Sequence, residues 1–215
     1  MCNASETGLS RGEEARARSG VYGLLARVFR AEADAALLRH LQSPEIVAAL
    51  GRPGEELAAF LTRQGTDRTL ADLAEEYTRL FLGPGPHLSL HEAVLVPGGA
   101  GLLWGRETAV VKTCMGEAGC AVADQAELLP DHLAVELEFM AHLCAEEAQG
   151  WLSGDAVGAR NAAAWQTAFL NGHLGTWVGS VRERLEAARP SPFYAVFAEL
   201  LCAFVRQEVE TCLSR

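Results

Sequence analysis

The chain lacks the features that mark exported, membrane-spanning and metal-binding proteins. Its first twenty residues have no apolar core and no small-residue cleavage site, so we expect no secretory signal peptide. No run reaches the roughly 18 apolar residues of a membrane helix. None of the six cysteines has the C-x-x-C spacing that is typical of zinc and redox sites. We therefore expect a cytoplasmic protein with reduced thiols, no stable membrane insertion, no metal site and no bound cofactor.

Basic residues are also scarce, with 18 Lys and Arg against 28 Asp and Glu and a net charge of −10. Phosphate contacts need a basic face, so this balance argues against a nucleic-acid binder and favours a cationic partner. Residues 113–159 contain no Lys or Arg but nine Asp or Glu. Such a stretch is usually only a solvated face, but here it is also a candidate surface for a cationic ligand.

Apolar residues at helical spacing dominate the rest of the chain, and no segment alternates with the period of a strand. The spacing predicts helices at about 21–29, 44–50, 55–63, 69–82, 104–115, 130–149, 155–188 and 192–213. A Gly/Pro-rich connection at 83–101 is long enough to suggest a functional loop. We predict an all-α fold with a flexible segment at 1–18 and a single compact helical domain at 19–215.

The segment GPGP at 83–86 is not a phosphate-binding loop, because Pro84 and Pro86 lack the N–H groups that such a loop uses. An extended segment beside Leu80 and Phe81 instead suits an apolar peptide.

Asp131, His132 and Glu136 stand together near the start of the helix predicted at 130–149. One interpretation is a metal- or nucleotide-dependent hydrolase that uses these three side chains. The other is a binding protein without turnover.

Three motifs, in this order, resemble those of a known family. They are EYTRLFLGP at 76–84, PDHL at 130–133 followed by ELEFM at 136–140, and FL at 169–170 followed by His173 and Trp177. Together they resemble the TorD/DmsD family of redox-enzyme maturation (molybdoenzyme) chaperones over roughly residues 20–210. The resemblance implies an all-α chaperone without catalytic activity, as a monomer or a homodimer.

The resemblance also implies a client, a molybdenum oxidoreductase whose catalytic subunit carries a twin-arginine signal peptide. The chaperone would bind this leader or the apo form and assist cofactor insertion before export. Carried over by position, the client-binding residues are Tyr77, Leu80, Phe81, Gly83, Pro84, Pro86, His91, Glu92, Pro130, Asp131, His132 and Glu136. At 91–94 the chain has His-Glu-Ala-Val where the family often has an aromatic residue, an acid, serine and valine, so Glu92 is kept and two neighbours differ.

Two arginines followed by an apolar stretch require carboxylates beside an apolar groove, since arginine favours planar, bidentate carboxylate partners. The expected carboxylates are Asp131 and Glu136, with Glu92 and Glu138, and the expected apolar contacts are Leu80, Phe81 and Val94. Asp131 has a second, compatible interpretation as a helix cap. The helical spacing favours Tyr77 and Phe81 as core residues, and a neutral His132 would not repel the ligand.

Overall fold

The computed structural model describes residues 2–63, 65–83, 87–120 and 127–213. Their α-helices are α1 (Cys2–Arg30), α2 (Ala35–Leu41), α3 (Pro44–Leu50), α4 (Arg52–Thr62), α5 (Thr66–Tyr77), α6 (Glu92–Leu95), α7 (Arg106–Glu117), α8 (Leu133–Ser153), α9 (Ala156–Gly172), α10 (Leu174–Ala187) and α11 (Pro192–Leu213). A π-helical turn, Thr78–Leu82, continues α5. These ranges contain no strand, only an isolated bridge between His91 and His132. The predicted all-α fold in a single compact helical domain is confirmed.

Local capping signals fix several helix ends. Ser43 accepts a hydrogen bond from Ile46 N at 3.4 Å and is followed by a proline at the first helical position, as the sequence predicts. Helix α8 ends at Gly154, whose φ of +83° is the left-handed conformation that glycine adopts readily. Most predicted helices therefore differ from the observed ones by only a few residues at either end.

The N-terminal segment differs from the prediction. Residues 2–18, expected to be flexible, are helical and continuous with the rest of α1. Ala15 is buried, and Arg18 forms an ion pair with Glu147 on α8. The contact between α1 and α8 is the most extensive helix pair among the described residues, so the first helix belongs to the domain.

The helix predicted at 155–188 is two helices, α9 and α10, which meet at His173. The φ and ψ of His173 are −134° and −98°, outside the helical region. A Cβ atom on Gly175 would lie 2.5 Å from the Leu170 carbonyl oxygen, so this tight junction requires glycine. Buried residues continue at helical spacing through the junction, from Phe169 and Leu170 to Leu174 and Trp177, so the sequence does not indicate the break.

The core is rich in aromatic side chains that are fully buried, namely Tyr22, Phe29, Phe169, Trp177, Phe193, Tyr194 and Phe197. Tyr77 and Phe81 are also buried, with their ring centroids 5.0 Å apart in an edge-to-face arrangement. Both therefore belong to the core, as their spacing predicts. Within the described ranges, every helix is too short or too polar to cross a membrane.

Candidate functional site

A group of hydrogen bonds fastens the Gly/Pro-rich connection to the segment that leads into α8. Leu133 N donates to Leu90 O at 2.8 Å, and Glu92 N donates to Asp131 O at 2.9 Å. The Asp131 carboxylate accepts a third bond from Ala93 N at 3.2 Å. We call this contact the latch. Asp131 thus satisfies an amide at the start of α6, which corrects the expectation that it caps the helix predicted at 130–149.

The cap of α8 is His132. Its Nδ1 accepts a hydrogen bond from Ala134 N at 3.1 Å, and its ring meets that of His91 edge-on with centroids 4.9 Å apart. Burial, together with the nearby His91 and Arg30, lowers the pKa of His132 to about 3. Burial also lowers the pKa of His91. Both imidazoles are therefore neutral at neutral pH, as the sequence interpretation of His132 requires.

Behind the latch lies a buried pair of carboxyl groups. Glu92 Oε2 lies 3.0 Å from His173 Nδ1, and Glu136 Oε2 accepts a hydrogen bond from Trp177 Nε1 at 3.1 Å. Burial, together with the nearby charge of Glu92, raises the pKa of Glu136 well above its ordinary value. The native fold therefore favours the protonated form of Glu136.

This arrangement leaves the expected arginine ligands little free surface. Asp131 and Glu136 are 0% exposed and Glu92 is 3% exposed. Glu138 is accessible but accepts two hydrogen bonds from Arg30 Nη1, at 2.7 and 2.8 Å. Asp131, Glu136 and Glu92 therefore form hydrogen bonds within the protein. Glu138 is already paired with Arg30.

Two neighbouring grooves share Glu32, His87 and Leu88 as lining residues. The large groove, of about 1030 Å³, is lined by Glu32, Ala74, Glu75, Thr78, Arg79, Leu80, Gly83, His87, Leu88, Arg184, Ala187 and Ala188. The small groove, of about 520 Å³, is lined by Arg30, Ala31, Glu32, Tyr77, Phe81, Leu82, His87, Leu88, Ser89, Leu90, His91, Leu103, Leu128 and His132. The latch therefore supplies one wall of the small groove.

The predicted site residues fall into three groups. Those that line a groove are Tyr77, Leu80, Phe81, Gly83, His91 and His132. Those that are buried in or beside the latch are Glu92, Pro130, Asp131 and Glu136. Pro84 and Pro86 lie outside the described residues. The motifs thus mark one region of the fold, but only some of their side chains face a groove.

Two further carboxylates, which the motifs do not indicate, are better placed for a ligand. Glu32 lines both grooves and Glu75 lines the large one; both are exposed, and neither forms an ion pair within the described ranges. The other charge of the small groove, on Arg30, is compensated by Glu138. The large groove also contains Arg79, held by Glu76 and by the Ala188 carbonyl, and Arg184.

Comparisons with known proteins agree with the motifs. A family model described as the nitrate reductase delta subunit matches residues 43–183. Chaperone protein TorD of Shewanella pealeana is 27% identical over 90% of this chain and 88% of the relative. The TorD of Shewanella piezotolerans is 26% identical over 91% and 92%, and that of Vibrio cholerae 29% over 74% and 71%.

The chain belongs to the TorD/DmsD family of redox-enzyme maturation (molybdoenzyme) chaperones. Members of this family are chaperones and not catalysts, so the hydrolase interpretation of Asp131, His132 and Glu136 is set aside. The described residues also contain no group of three or more His, Cys, Asp or Glu side chains that could hold a metal ion. The latch and most of both grooves fall inside the matched range, whereas Glu32 precedes it.

Proposed function

We propose that this TorD/DmsD protein is a cytoplasmic chaperone that binds the twin-arginine leader of a molybdopterin-dependent oxidoreductase. It holds the apo form of the catalytic subunit and assists cofactor insertion before export. The observation that carries the proposal is the pair of adjoining grooves, in which apolar walls meet the exposed carboxylates of Glu32 and Glu75, which form no ion pair with any other described residue. The name of the relatives, chaperone protein TorD, supports the chaperone role.

The two carboxylates match the two guanidinium groups of such a leader. Arginine binds a carboxylate through two parallel N–H donors, a geometry that an exposed glutamate can meet without losing buried partners. In the proposed complex one arginine pairs with Glu32, where the grooves meet, and the other with Glu75 in the large groove. The apolar stretch then follows the small groove, whose wall includes Phe81 and Leu90.

The latch gives the remaining motif residues a positioning role in this proposal. Leu90 and His91 line the small groove, and the next two residues are held by Asp131. Glu92 is in turn held by His173. The groove residues of the predicted set contact the leader, and Asp131 and Glu136 with Glu92 and Pro130 keep the wall in place.

The test is a calorimetric titration of the full chain with a twin-arginine leader peptide and with its Lys-Lys version. We expect the Lys-Lys peptide to bind more weakly, because lysine cannot form the bidentate pair. The double variant Glu32→Gln/Glu75→Gln should lose about two- to thirtyfold in affinity, since each of the two exposed pairs contributes about 0.2–1 kcal/mol.

The matched control is Glu45→Gln/Glu55→Gln, which removes the same charge from exposed positions on α3 and α4 that line neither groove. This control should bind the leader as the wild type does. Equal losses in the two double variants would show that the loss of affinity comes from net charge alone. Equal affinity for the two peptides would contradict the assignment of Glu32 and Glu75 to the arginines.

A further inference from the structure

Three consecutive apolar residues project into solvent between α6 and α7. Leu102, Leu103 and Trp104 are 66%, 49% and 76% exposed. Exposed apolar runs of this kind are avoided on protein surfaces unless they bind something. We call these three residues the apolar turn.

The backbone of the apolar turn is strained. Trp104 has a φ of +61°, a left-handed conformation that is uncommon for a residue with a side chain and rarer still for a bulky one. Such strain persists only where the surrounding structure holds it, and it concentrates at binding sites. Because Trp104 is exposed and its backbone is strained, its conformation does not stabilise the protein alone.

The fold holds the apolar turn beside the latch. A Cβ atom on Gly105 would lie 3.3 Å from the Ala93 Cβ and 2.9 Å from Glu107 Oε2, so the residue after Trp104 closely approaches α6. The amide of Ala93 donates the hydrogen bond that the Asp131 carboxylate accepts. The position of the turn is therefore tied to the same contact that holds the wall of the small groove.

The apolar turn is also continuous with the small groove. Leu103 lines that groove, and Trp104 follows it directly. Leu82, another lining residue, is 63% exposed, which adds apolar surface to the rim. Glu32, which has no ion-pair partner among the residues that the structure describes, lines both grooves and so lies where they meet. The surface thus combines a carboxylate at the junction of the grooves with an exposed apolar extension.

We propose that the apolar turn receives the apolar stretch that follows the two arginines of the leader. This inference rests on the proposed function and extends it from the charged to the uncharged part of the same peptide. A ligand with cationic and apolar parts in succession matches the sequence of Glu32, the small groove and Trp104. Trp104 then loses contact with water when the leader binds.

The first measurement is tryptophan fluorescence of the full chain, titrated with a leader peptide that contains no tryptophan. Trp104 is 76% exposed, whereas Trp177 is fully buried and Trp151 and Trp165 are partly buried. We expect a blue shift of the emission on binding, and we expect Trp104→Phe to abolish it. An unchanged emission spectrum at saturation would overturn the inference.

The second measurement is the affinity of Trp104→Ser, which should fall by about tenfold or more, as is typical of an exposed tryptophan that becomes buried at an interface. The control is Val157→Ser, which removes a side chain 62% exposed that lines neither groove. A peptide that keeps both arginines but has serine in place of its apolar residues should bind the wild type and Trp104→Ser equally.

The outcomes separate this inference from the proposed function. If the wild type binds no leader peptide, both are overturned. If the wild type binds the leader and Trp104→Ser binds it equally well, the apolar turn is not its contact and the proposed function stands. A dimer that is lost in Trp104→Ser, with unchanged leader affinity, would assign the apolar turn to a second copy of the chain and would likewise overturn the inference.

Discussion

Arg18 is a nearly buried cation that ties the first helix to the rest of the domain. Its guanidinium donates to Glu147 Oε2 at 2.7 Å and to Gln166 Oε1 at 2.5 Å, and its Nε lies 3.6 Å from Glu208 Oε2. The side chains of Arg18 and Glu147 are 11% and 7% exposed. Replacement by methionine keeps an unbranched apolar stem but leaves Glu147 buried without its cation.

The expected loss in the free energy of unfolding follows from that burial. Removing one partner of a buried ion pair typically costs 3–5 kcal/mol, because the remaining charge stays in a poorly solvated site. Glu147 keeps hydrogen bonds from Trp151 Nε1 and Gln166 Nε2, so we expect Arg18→Met to fall near the lower end, at about 3 kcal/mol.

The matched control is Arg30→Met on the same helix. Arg30 also binds a glutamate, Glu138, at 2.7 Å, but the two side chains are 42% and 47% exposed. An exposed pair contributes about 0–1 kcal/mol, so this variant should be close to the wild type. Urea unfolding at pH 7, followed by circular dichroism, measures both.

A loss below about 1 kcal/mol in Arg18→Met, or equal losses in the two variants, would refute this reasoning. The double variant Arg18→Met/Glu147→Gln adds a further check, since removing both charges should restore part of the stability. A double variant less stable than Arg18→Met would show that the packing of the arginine stem, and not its charge, dominates.

The carboxyl groups at the latch give two more predictions. The raised pKa of Glu136 means that the native state keeps a proton which the unfolded chain releases above about pH 4.3, so this contribution to stability is lost as the pH rises through the native pKa. Glu136→Gln cannot ionise and keeps an acceptor for Trp177, so its melting temperature should exceed that of the wild type at pH 8 and converge with it near pH 4; parallel pH profiles would contradict this. Asp131→Asn keeps an oxygen for Ala93 N and should bind the leader within about twofold of the wild type, whereas Asp131→Ala should bind it less well. An equal loss in both Asp131 variants would assign the carboxylate to direct contact with the leader.

The helices that the sequence predicts best have local signals. The Ser43 cap with its following proline and the end of α8 at Gly154 need no knowledge of the rest of the chain. The break at His173 has another cause, the close approach of Gly175 to the Leu170 carbonyl, which only the packed structure reveals. The first half of α1 has a similar cause. Its helix is stabilised by packing against α8, and its own sequence does not show the apolar spacing that would predict it.

The carboxylates show the same division between local and tertiary information. Glu136 lies three residues after Leu133 and four before Met140, so helical spacing places it on the buried face of α8. That signal is present in the sequence and argues against Glu136 as a surface ligand. Glu32 has no equivalent signal, since it follows the end of α1 and reaches the grooves only through the packing of α1 against α5 and the connection.

The latch and the rim of the grooves have different roles in the proposed site. Its Asp131-His132 motif and the Glu92–Glu136 pair act on the backbone and on each other, so in the proposed arrangement they fix the wall of the small groove for any leader. The side chains best placed to discriminate are those on the rim, Glu32, Leu82, Leu103 and Trp104, because they are exposed. Substitutions on the rim should therefore change which leader binds, whereas substitutions in the latch should weaken all leaders together.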